Sequence, residues 1–167
     1  MQNLCKLRME KKRMIHLFKY NWKVRDSWLE LCCRLSQDEL IRDRTGGVGS
    51  ILKTFFHIID VEYSWIQAIS GKPVQDPEFK DYMTMELIIK LSRDYRLEIK
   101  EFINDWSNDM EYQVVTVPWM DEPLFAGEVL RHVIAHEIHH IGQLSIWARE
   151  LGVKPISANF IGRGLMG

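Results

Sequence analysis

Hydrophobic residues recur at spacings of three and four along four stretches of the chain, a pattern typical of amphipathic helices. The stretches run from about Lys11 to Leu35, from Ser50 to Gly71, from Thr84 to Trp106 and from Ala126 to Leu151. Each is long enough for about five turns of helix. Ser50 suits the N-cap of the second helix, and Gly71 and Gly152 suit the left-handed position that follows a helix. The pattern therefore predicts an all-α fold.

The connections between these stretches contain most of the glycines and prolines, which mark turns and loops. Residues 36–39, with the sequence SQDE, predict a stop and a turn after the first helix. Residues 111–124 include the β-branched run Val114 to Val117, which favours a short extended segment or small hairpin whose length Pro118 limits. We therefore predict a four-helix bundle with a short extended or hairpin segment between helices three and four.

The composition narrows the class of protein. A chain of 167 residues with 46% hydrophobic and 27% charged residues is ordinary for one soluble globular domain, and it excludes a disordered or low-complexity protein. The 22 Lys and Arg residues against 23 Asp and Glu give a net charge of −1. The chain therefore lacks the overall positive field of a typical nucleic-acid-binding domain.

Cysteine usage and hydropathy bear on the location of the protein. The three cysteines, Cys5, Cys32 and Cys33, are an odd number and include two neighbours, which favours a reducing compartment over a disulfide framework. The longest stretch without Asp, Glu, Lys or Arg, residues 138–148, is shorter than the roughly 20 apolar residues of a membrane span. The N-terminus carries charges where a signal peptide is apolar. We predict a cytoplasmic protein with no membrane partner.

Histidines concentrate near the C-terminus. Four of the six, His132, His136, His139 and His140, lie within nine residues. On a helix, His132, His136 and His140 share one face, and an i, i+4 pair can direct two imidazole nitrogens at one metal ion. His57 lies within an apolar stretch of the second predicted helix, where an imidazole needs a partner that a metal can supply. This arrangement favours a metal site on the fourth helix.

Each histidine also has a simpler interpretation. A lone residue such as His57 is most often a hydrogen-bonded core residue. His132 is a third ligand, a group that supports a ligand, or a core residue, and the pattern leaves these three roles open. His139 lies off the bisector of the ligating pair and faces outward or towards a neighbouring helix. His16 is expected at the surface.

The string from His136 to His140 also matches the H-E-x-x-H pattern of zinc metallopeptidases. That pattern is short enough to occur by chance in a helix rich in histidine. A peptidase needs a third ligand downstream, and no histidine follows His140. In the extended form of the motif, Gly142 comes too early and Ile146 occupies the position of the last ligand. A peptidase is therefore the weaker interpretation.

Several blocks of sequence carry a family resemblance. The segment HVIAHEIHHIGQLSIWARELG resembles the last bundle helix of the DinB/YfiT-like family of proposed metalloenzymes. FKYNW, LSQDEL and HIIDVEYSW follow the same family in order and spacing, so that the resemblance covers about Leu17 to Leu151. The H-x-x-x-H-x-G-Q ending is its most specific element.

The resemblance implies a metal ion held by three histidines, one on the second helix and two on the fourth. By position these ligands are His57, His136 and His140. Three imidazoles without a carboxylate suit Zn²⁺ or Ni²⁺, and three protein ligands leave one position open, as in catalytic sites. Characterised relatives use bacillithiol, mycothiol or glutathione. The resemblance therefore implies an S-transferase that joins a low-molecular-weight thiol to a small electrophilic substrate.

Helix spacing selects further candidates around this site. Asp60, one turn beyond His57, is the candidate catalytic residue, either as a base or as an acceptor for a ligand imidazole. Glu62 corresponds to an acidic position of the family, and a salt bridge within the bundle explains it equally well. Gln143 lies one turn past His140, where it could support that ligand. Three tryptophans are candidates for either a pocket lining or the core: Trp65, Trp119 and Trp147.

Two other functions compete with an enzyme. The first 25 residues are rich in Lys and Arg, ending with Arg25, and a basic helix can attract phosphate. A solvated helix face explains these charges better than a DNA-binding module does. A non-catalytic metal-binding protein of a stress response would share the same bundle and ligands, so the sequence does not separate it from an enzyme.

The resemblance also sets the predicted domain organisation. Residues 1–10 lie outside it and are expected to form a flexible extension, while residues 11–167 are expected to form a single domain. Dimers are common among similar proteins, so we expect a homodimer.

Overall fold

The computed structural model describes residues 2–117 and 119–165, with backbone only for residues 2–13. In that part of the chain the α-helices are α1 (Gln2–Cys32), α2 (Gln37–Ile41), α3 (Ile51–Ile69), α4 (Met85–Asp105) and α5 (Ala126–Glu150), and two short 3-10 helices cover Phe79–Asp81 and Asn108–Met110. Four of them are long and form the bundle, and α2 is a single short turn between the first two. The predicted all-α fold is confirmed.

A small hairpin separates α4 from α5. Strands β1 (Val114–Val115) and β2 (Leu124–Phe125) pair antiparallel, with Val115 opposite Leu124. The backbone N–H of Phe125 donates to the carboxylate of Glu128 at 3.1 Å, so the second strand leads directly into the first turn of α5. This is the extended or hairpin segment predicted between the third and fourth bundle helices.

Serine and threonine side chains cap the helix starts, and the N-cap predicted at Ser50 is among them. The hydroxyl of Ser50 accepts from the backbone N–H of Lys53 at 3.2 Å, and that of Thr84 accepts from Leu87 at 3.4 Å. Ser36 differs from expectation, because its hydroxyl caps the N-terminus of α2. The residues interpreted as a stop and turn therefore form a helix that two acidic residues in its first turn stabilise.

The first helix begins earlier than its apolar stripe indicated. The expected start was near Lys11, whereas α1 already begins at Gln2. Residues 2–10 are mostly Leu, Lys, Arg, Met and Glu, all good helix formers, and contain no Gly or Pro. The extension predicted for residues 1–10 is therefore helical from residue 2, while Met1 lies outside the described residues. Its flexibility stays a prediction.

One continuous hydrophobic core fills the space between the helices of the bundle. Helix α3 packs against α4 and α5, and α1 packs against the same two helices. Phe18, Trp28 and Phe55 are among the largest side chains with almost no exposure. None of the described helices has an apolar stretch long enough to cross a membrane.

A buried ionic cluster crosses this core. Arg25 of α1, at 0% exposure, donates from Nε to Oε1 of Glu137 at 2.8 Å. Its Nη2 lies 2.7 Å from Oε2 of Glu62, and the indole N–H of Trp22 donates to the other oxygen of Glu62 at 2.7 Å. The cluster joins α1, α3 and α5.

The two carboxylates raise the pKa of the Arg25 guanidinium and keep it charged against the opposing effect of burial. The interpretation of the basic N-terminal residues as a solvated face is therefore wrong for Arg25. It holds for Lys19 and Lys23, which are exposed.

Candidate metal centre

Three histidines from two helices meet beside the core. Nε2 of His136 lies 3.0 Å from Nε2 of His57 and 3.1 Å from Nε2 of His140. The ligand atoms of all three lie within 4.8 Å of one another. Two come from successive turns of α5 and one comes from the facing turn of α3. The structure therefore brings together the set that the sequence selected, as a cluster compatible with a metal site.

Burial and mutual repulsion keep these rings neutral. The pKa of His136 falls to about 3 because burial and then the neighbouring imidazoles disfavour its charged form. Burial also lowers the pKa of His57 and of His140, and in each case another histidine adds to the effect. Neutral imidazoles are the form that binds metal, so little proton competition is expected near neutral pH.

Hydrogen bonding alone accounts poorly for the cluster. Nε2 of His136 takes part in both short contacts, and one ring nitrogen offers either a hydrogen or a lone pair, not both. A divalent cation would satisfy all three lone pairs. Ligand nitrogens of a tetrahedral zinc site lie about 3.3 Å apart for bonds of 2.0–2.1 Å, which is close to the two spacings of 3.0 and 3.1 Å that involve His136. The donor set therefore fits a divalent ion.

Gln143 orients one of the candidate ligands. Its Oε1 lies 2.8 Å from Nδ1 of His140, and its Nε2 lies 2.9 Å from Nε2 of His139. An amide oxygen only accepts, so Nδ1 of His140 donates, and Nε2 of that ring presents its lone pair to the cluster. His139 is exposed; it contacts the site through Gln143 and also helps to lower the pKa of His140.

A glycine loop packs against this glutamine. Gly47 follows α2 with φ +58°, and a Cβ there would lie 2.6 Å from Oε1 of Gln143. The preceding Gly46 has φ +86°, yet a Cβ on it would meet no atom within 4 Å. Both glycines therefore have a left-handed backbone, but only at Gly47 would a side chain collide with Gln143.

We expect Gly47→Ala to weaken zinc binding by about 10–100-fold, because a displaced Gln143 no longer fixes the tautomer of His140. Gly46→Ala is the matched control, since it adds similar backbone strain without touching Gln143. Competition titration with a zinc-sensitive dye would measure both affinities. Equal zinc affinities in the two variants would contradict the role given to Gln143.

Asp60 lies on the same helix face as His57 but has a different partner. Its Oδ1 accepts from the hydroxyl of Ser64 at 3.3 Å, and no described hydrogen bond joins it to His57. Burial raises the pKa of Asp60 to about 6, which suits a group that exchanges protons near neutral pH. Its predicted role as a base stays a prediction.

Two acidic residues close to the histidines, Glu62 and Glu137, face the bundle interior. Glu62 forms the salt bridge with Arg25 that was one of its two interpretations. Glu137, the acidic residue of the H-E-x-x-H string, is 2% exposed and also pairs with Arg25. A metallopeptidase uses that glutamate as a base at the metal. Glu137 is instead paired with Arg25 in the core, so it is not placed to act as the base of a metallopeptidase.

Two cavities lie near the histidines along the chain: the wall of one includes Asp60, one turn from His57, and the wall of the other includes His132, one turn from His136. The larger, about 410 Å³, is lined by Asp60, Val61, Ser64, Trp65, Val74, Gln75, Asp76 and Trp119. The smaller, about 220 Å³, is lined by Trp65, Met120, Leu124, Glu128, Val129 and His132. Trp65 borders both cavities. Its ring and that of Trp119 are arranged edge to face, with their centroids 5.2 Å apart. Trp65 and Trp119 are thus pocket residues, as one of their two interpretations held.

The remaining candidates lie elsewhere. Trp147 is a core residue whose indole N–H donates to the carbonyl of Thr45 at 3.3 Å. His132 is exposed, with its ring 5.7 Å from that of His136, and it lines the smaller cavity. His16, expected at the surface, is half-buried on α1. Sequence reasoning missed Gln75 and Asp76, which come from a loop without a motif.

The fold and the site define a class: a four-helix bundle with a three-histidine cluster suited to a divalent ion between its second and fourth long helices. The chain belongs to the DinB family, whose family model matches residues 2–163. The match includes the N-terminal residues that the sequence resemblance had left out.

Two similar proteins accompany this assignment. The chain is 51% identical over 153 residues to a protein of Bacillus subtilis (strain 168) named "Uncharacterized protein YizA", an alignment that covers 91% of this chain and 96% of that protein. A crystal structure of a DinB-like protein from Bacillus cereus ATCC 10987 matches with a TM-score of 0.68 and 18% identity, over 86% of this chain and 94% of that one. At that identity, the structural match supports the fold.

Proposed function

We propose that this protein is a metal-dependent S-transferase that joins a low-molecular-weight thiol to a small electrophile. The observation that carries the proposal is the convergence of three neutral imidazole nitrogens from His57, His136 and His140. Three ligands with an open fourth position are typical of catalytic metal sites. Zn²⁺ and Ni²⁺ are the ions that this donor set favours.

The histidines would hold the ion, and when bound there it would lower the pKa of a coordinated thiol and so favour the nucleophilic thiolate. The overall change is the loss of the thiol proton, formation of a carbon–sulfur bond, and departure of the leaving group of the electrophile with the bonding electron pair. The residues of the chain supply orientation, proton transfer and a partly dry cavity.

Each of these tasks has a candidate residue. Gln143 keeps Nε2 of His140 directed at the cluster. Asp60, one turn from His57 and inside the larger cavity, would take the thiol proton, since its pKa of about 6 leaves it ionised and weakly basic at neutral pH. Trp65 and Trp119 would exclude water from one side of the reacting groups.

A conjugation assay tests the proposal. Protein loaded with Zn²⁺ or Ni²⁺ would be incubated with bacillithiol, cysteine or glutathione and with monobromobimane, and the thioether would be quantified. We expect turnover that is lost on chelation and in His136→Ala. Asp60→Asn should lower the rate by about 100-fold or more, the usual contribution of a general base.

Two outcomes would count against this proposal. Equal turnover in His136→Ala and the unaltered protein would show that the reaction occurs elsewhere. A protein that binds metal yet conjugates none of the thiols would favour the non-catalytic metal-binding alternative. A homodimer and a location in the cytoplasm belong to the same proposal, and sedimentation analysis would test the dimer.

A further inference from the structure

The larger cavity has an unusual lining for a site that handles neutral or anionic molecules. The carboxylates of Asp60 and Asp76 lie on its wall together with the amide of Gln75, and no described lysine or arginine lines it. The indoles of Trp65 and Trp119 form a second part of the lining. Its volume of about 410 Å³ falls within the range of small-molecule sites.

The two carboxylates lack a cation of their own. Among the described residues, neither Asp60 nor Asp76 forms an ion pair, and they are close enough for Asp76 to raise the pKa of Asp60 further after burial has raised it. The buried carboxylates of Glu62 and Glu137 in the same bundle share the guanidinium of Arg25. The cavity therefore concentrates negative charge that the protein leaves unbalanced.

The aromatic walls decide what kind of cation fits. Trp65 and Trp119 meet edge to face, with an interplanar angle of 79°, and Trp119 is 44% exposed. An indole face attracts organic ammonium groups more strongly than other side-chain rings do. A hard metal ion would instead need several oxygen ligands around it. Carboxylates beside indoles are the combination that suits an ammonium group attached to an apolar body.

We propose that this cavity binds the protonated amine of a small organic cation, held by Asp60 and Asp76 against the rings of Trp65 and Trp119. Asp60 on the cavity wall lies one helical turn from His57, so the rest of such a molecule would extend towards the histidine cluster. In assigning this cation to the substrate, the inference rests on the proposed function. The electrophile or the thiol then carries an amine.

Binding to the metal-free protein tests this without reference to catalysis. The probes are phenethylamine, which is protonated at a pH near 7.5, and 2-phenylethanol, which has the same shape without the charge. Isothermal titration calorimetry should show phenethylamine binding at least about tenfold more tightly than the alcohol. We expect Asp60→Asn/Asp76→Asn to remove the difference.

Glu30→Gln/Glu101→Gln is the matched control, because it removes the same charge from exposed positions on α1 and α4. It should keep the preference for the amine. Asp76→Asn alone changes an exposed side chain, so it should fold normally and reduce the preference.

Equal binding of amine and alcohol would overturn the inference, as would a preference that survives in the double Asp variant. Mg²⁺ competing with phenethylamine at similar concentrations would also overturn it and identify a metal-ion site instead. These failures are separable from failure of the proposed function. Metal binding with thiol conjugation but no amine preference removes only this inference, whereas amine preference without conjugation removes only the transferase.

Discussion

Alanine at any one of His57, His136 and His140 is expected to abolish stoichiometric metal binding. Each residue contributes one Nε2 to a cluster in which the three ligand atoms lie within 4.8 Å of one another. With one imidazole gone, two ligands remain, and a catalytic zinc site ordinarily needs three from the protein. The loss of metal affinity should therefore be larger than the loss on removing a supporting residue, which is about 10–100-fold.

Metal content measured by mass spectrometry on untagged protein would check this result, after reconstitution with Zn²⁺ or Ni²⁺. About one ion per chain is expected for the unaltered protein. His132→Ala is the matched control, since it removes an exposed imidazole one turn from His136 on the same helix. Full occupancy in His57→Ala would mean that the fourth long helix binds metal without α3, and His132 or His139 would complete that site.

Replacing Arg25 by methionine should cost about 3–5 kcal/mol of the free energy of unfolding. The variant keeps much of the volume of the side chain but leaves Glu62 and Glu137, each 2% exposed, without their cation. Urea denaturation of the metal-free protein would measure the change. Arg42→Met is the matched control, because the Arg42 side chain is 60% exposed and an exposed pair of this kind contributes about 0–1 kcal/mol.

The loss in Arg25→Met should also depend on pH. Burial raises the pKa of Glu137 even with Arg25 present, and removal of the guanidinium raises it further. A carboxyl group whose folded-state pKa is above its unfolded value stabilises the fold at low pH, and that stability is lost as the pH rises through the folded pKa. The variant should therefore be closer to the unaltered protein at acidic than at alkaline pH. If Arg25→Met lowers the free energy of unfolding equally at all pH values, the loss does not come from buried carboxylates left without a cation.

The local parts of the structure were predictable from sequence because they depend on neighbouring residues. The N-cap Ser50, the stop at Gly71 and the apolar spacing defined α3 and α4 to within two residues. The i, i+4 spacing of His136 and His140 placed both on one face of α5. His57 joined them through the family resemblance, since no local pattern links residues 79 positions apart.

The long-range parts were not predictable in this way. Arg25 belongs to a basic segment whose composition is typical of a solvent-exposed helix face, and its partner Glu137 is 112 residues away. The short α2 depends on a cap whose local signal also fits a turn. The cavity wall at Asp76 comes from a loop whose position is set by tertiary packing. Charge pairing across the core and the placement of loops depend on the assembled bundle and are therefore absent from any window of sequence.

Adjacent residues of helix α5 hold it on two different faces, about 100° apart. His136 and His140 form the cluster with His57 of α3, while Glu137 reaches Arg25 in the core. One inserted or deleted residue turns the rest of a helix by about 100°. An insertion between Glu137 and His140 would therefore swing His140 out of the cluster while the Arg25 pair stayed in place. The histidine cluster and the Arg25 pair together fix the number of residues in this segment. Insertions and deletions in related proteins should therefore fall in the loops and never within this turn of the helix.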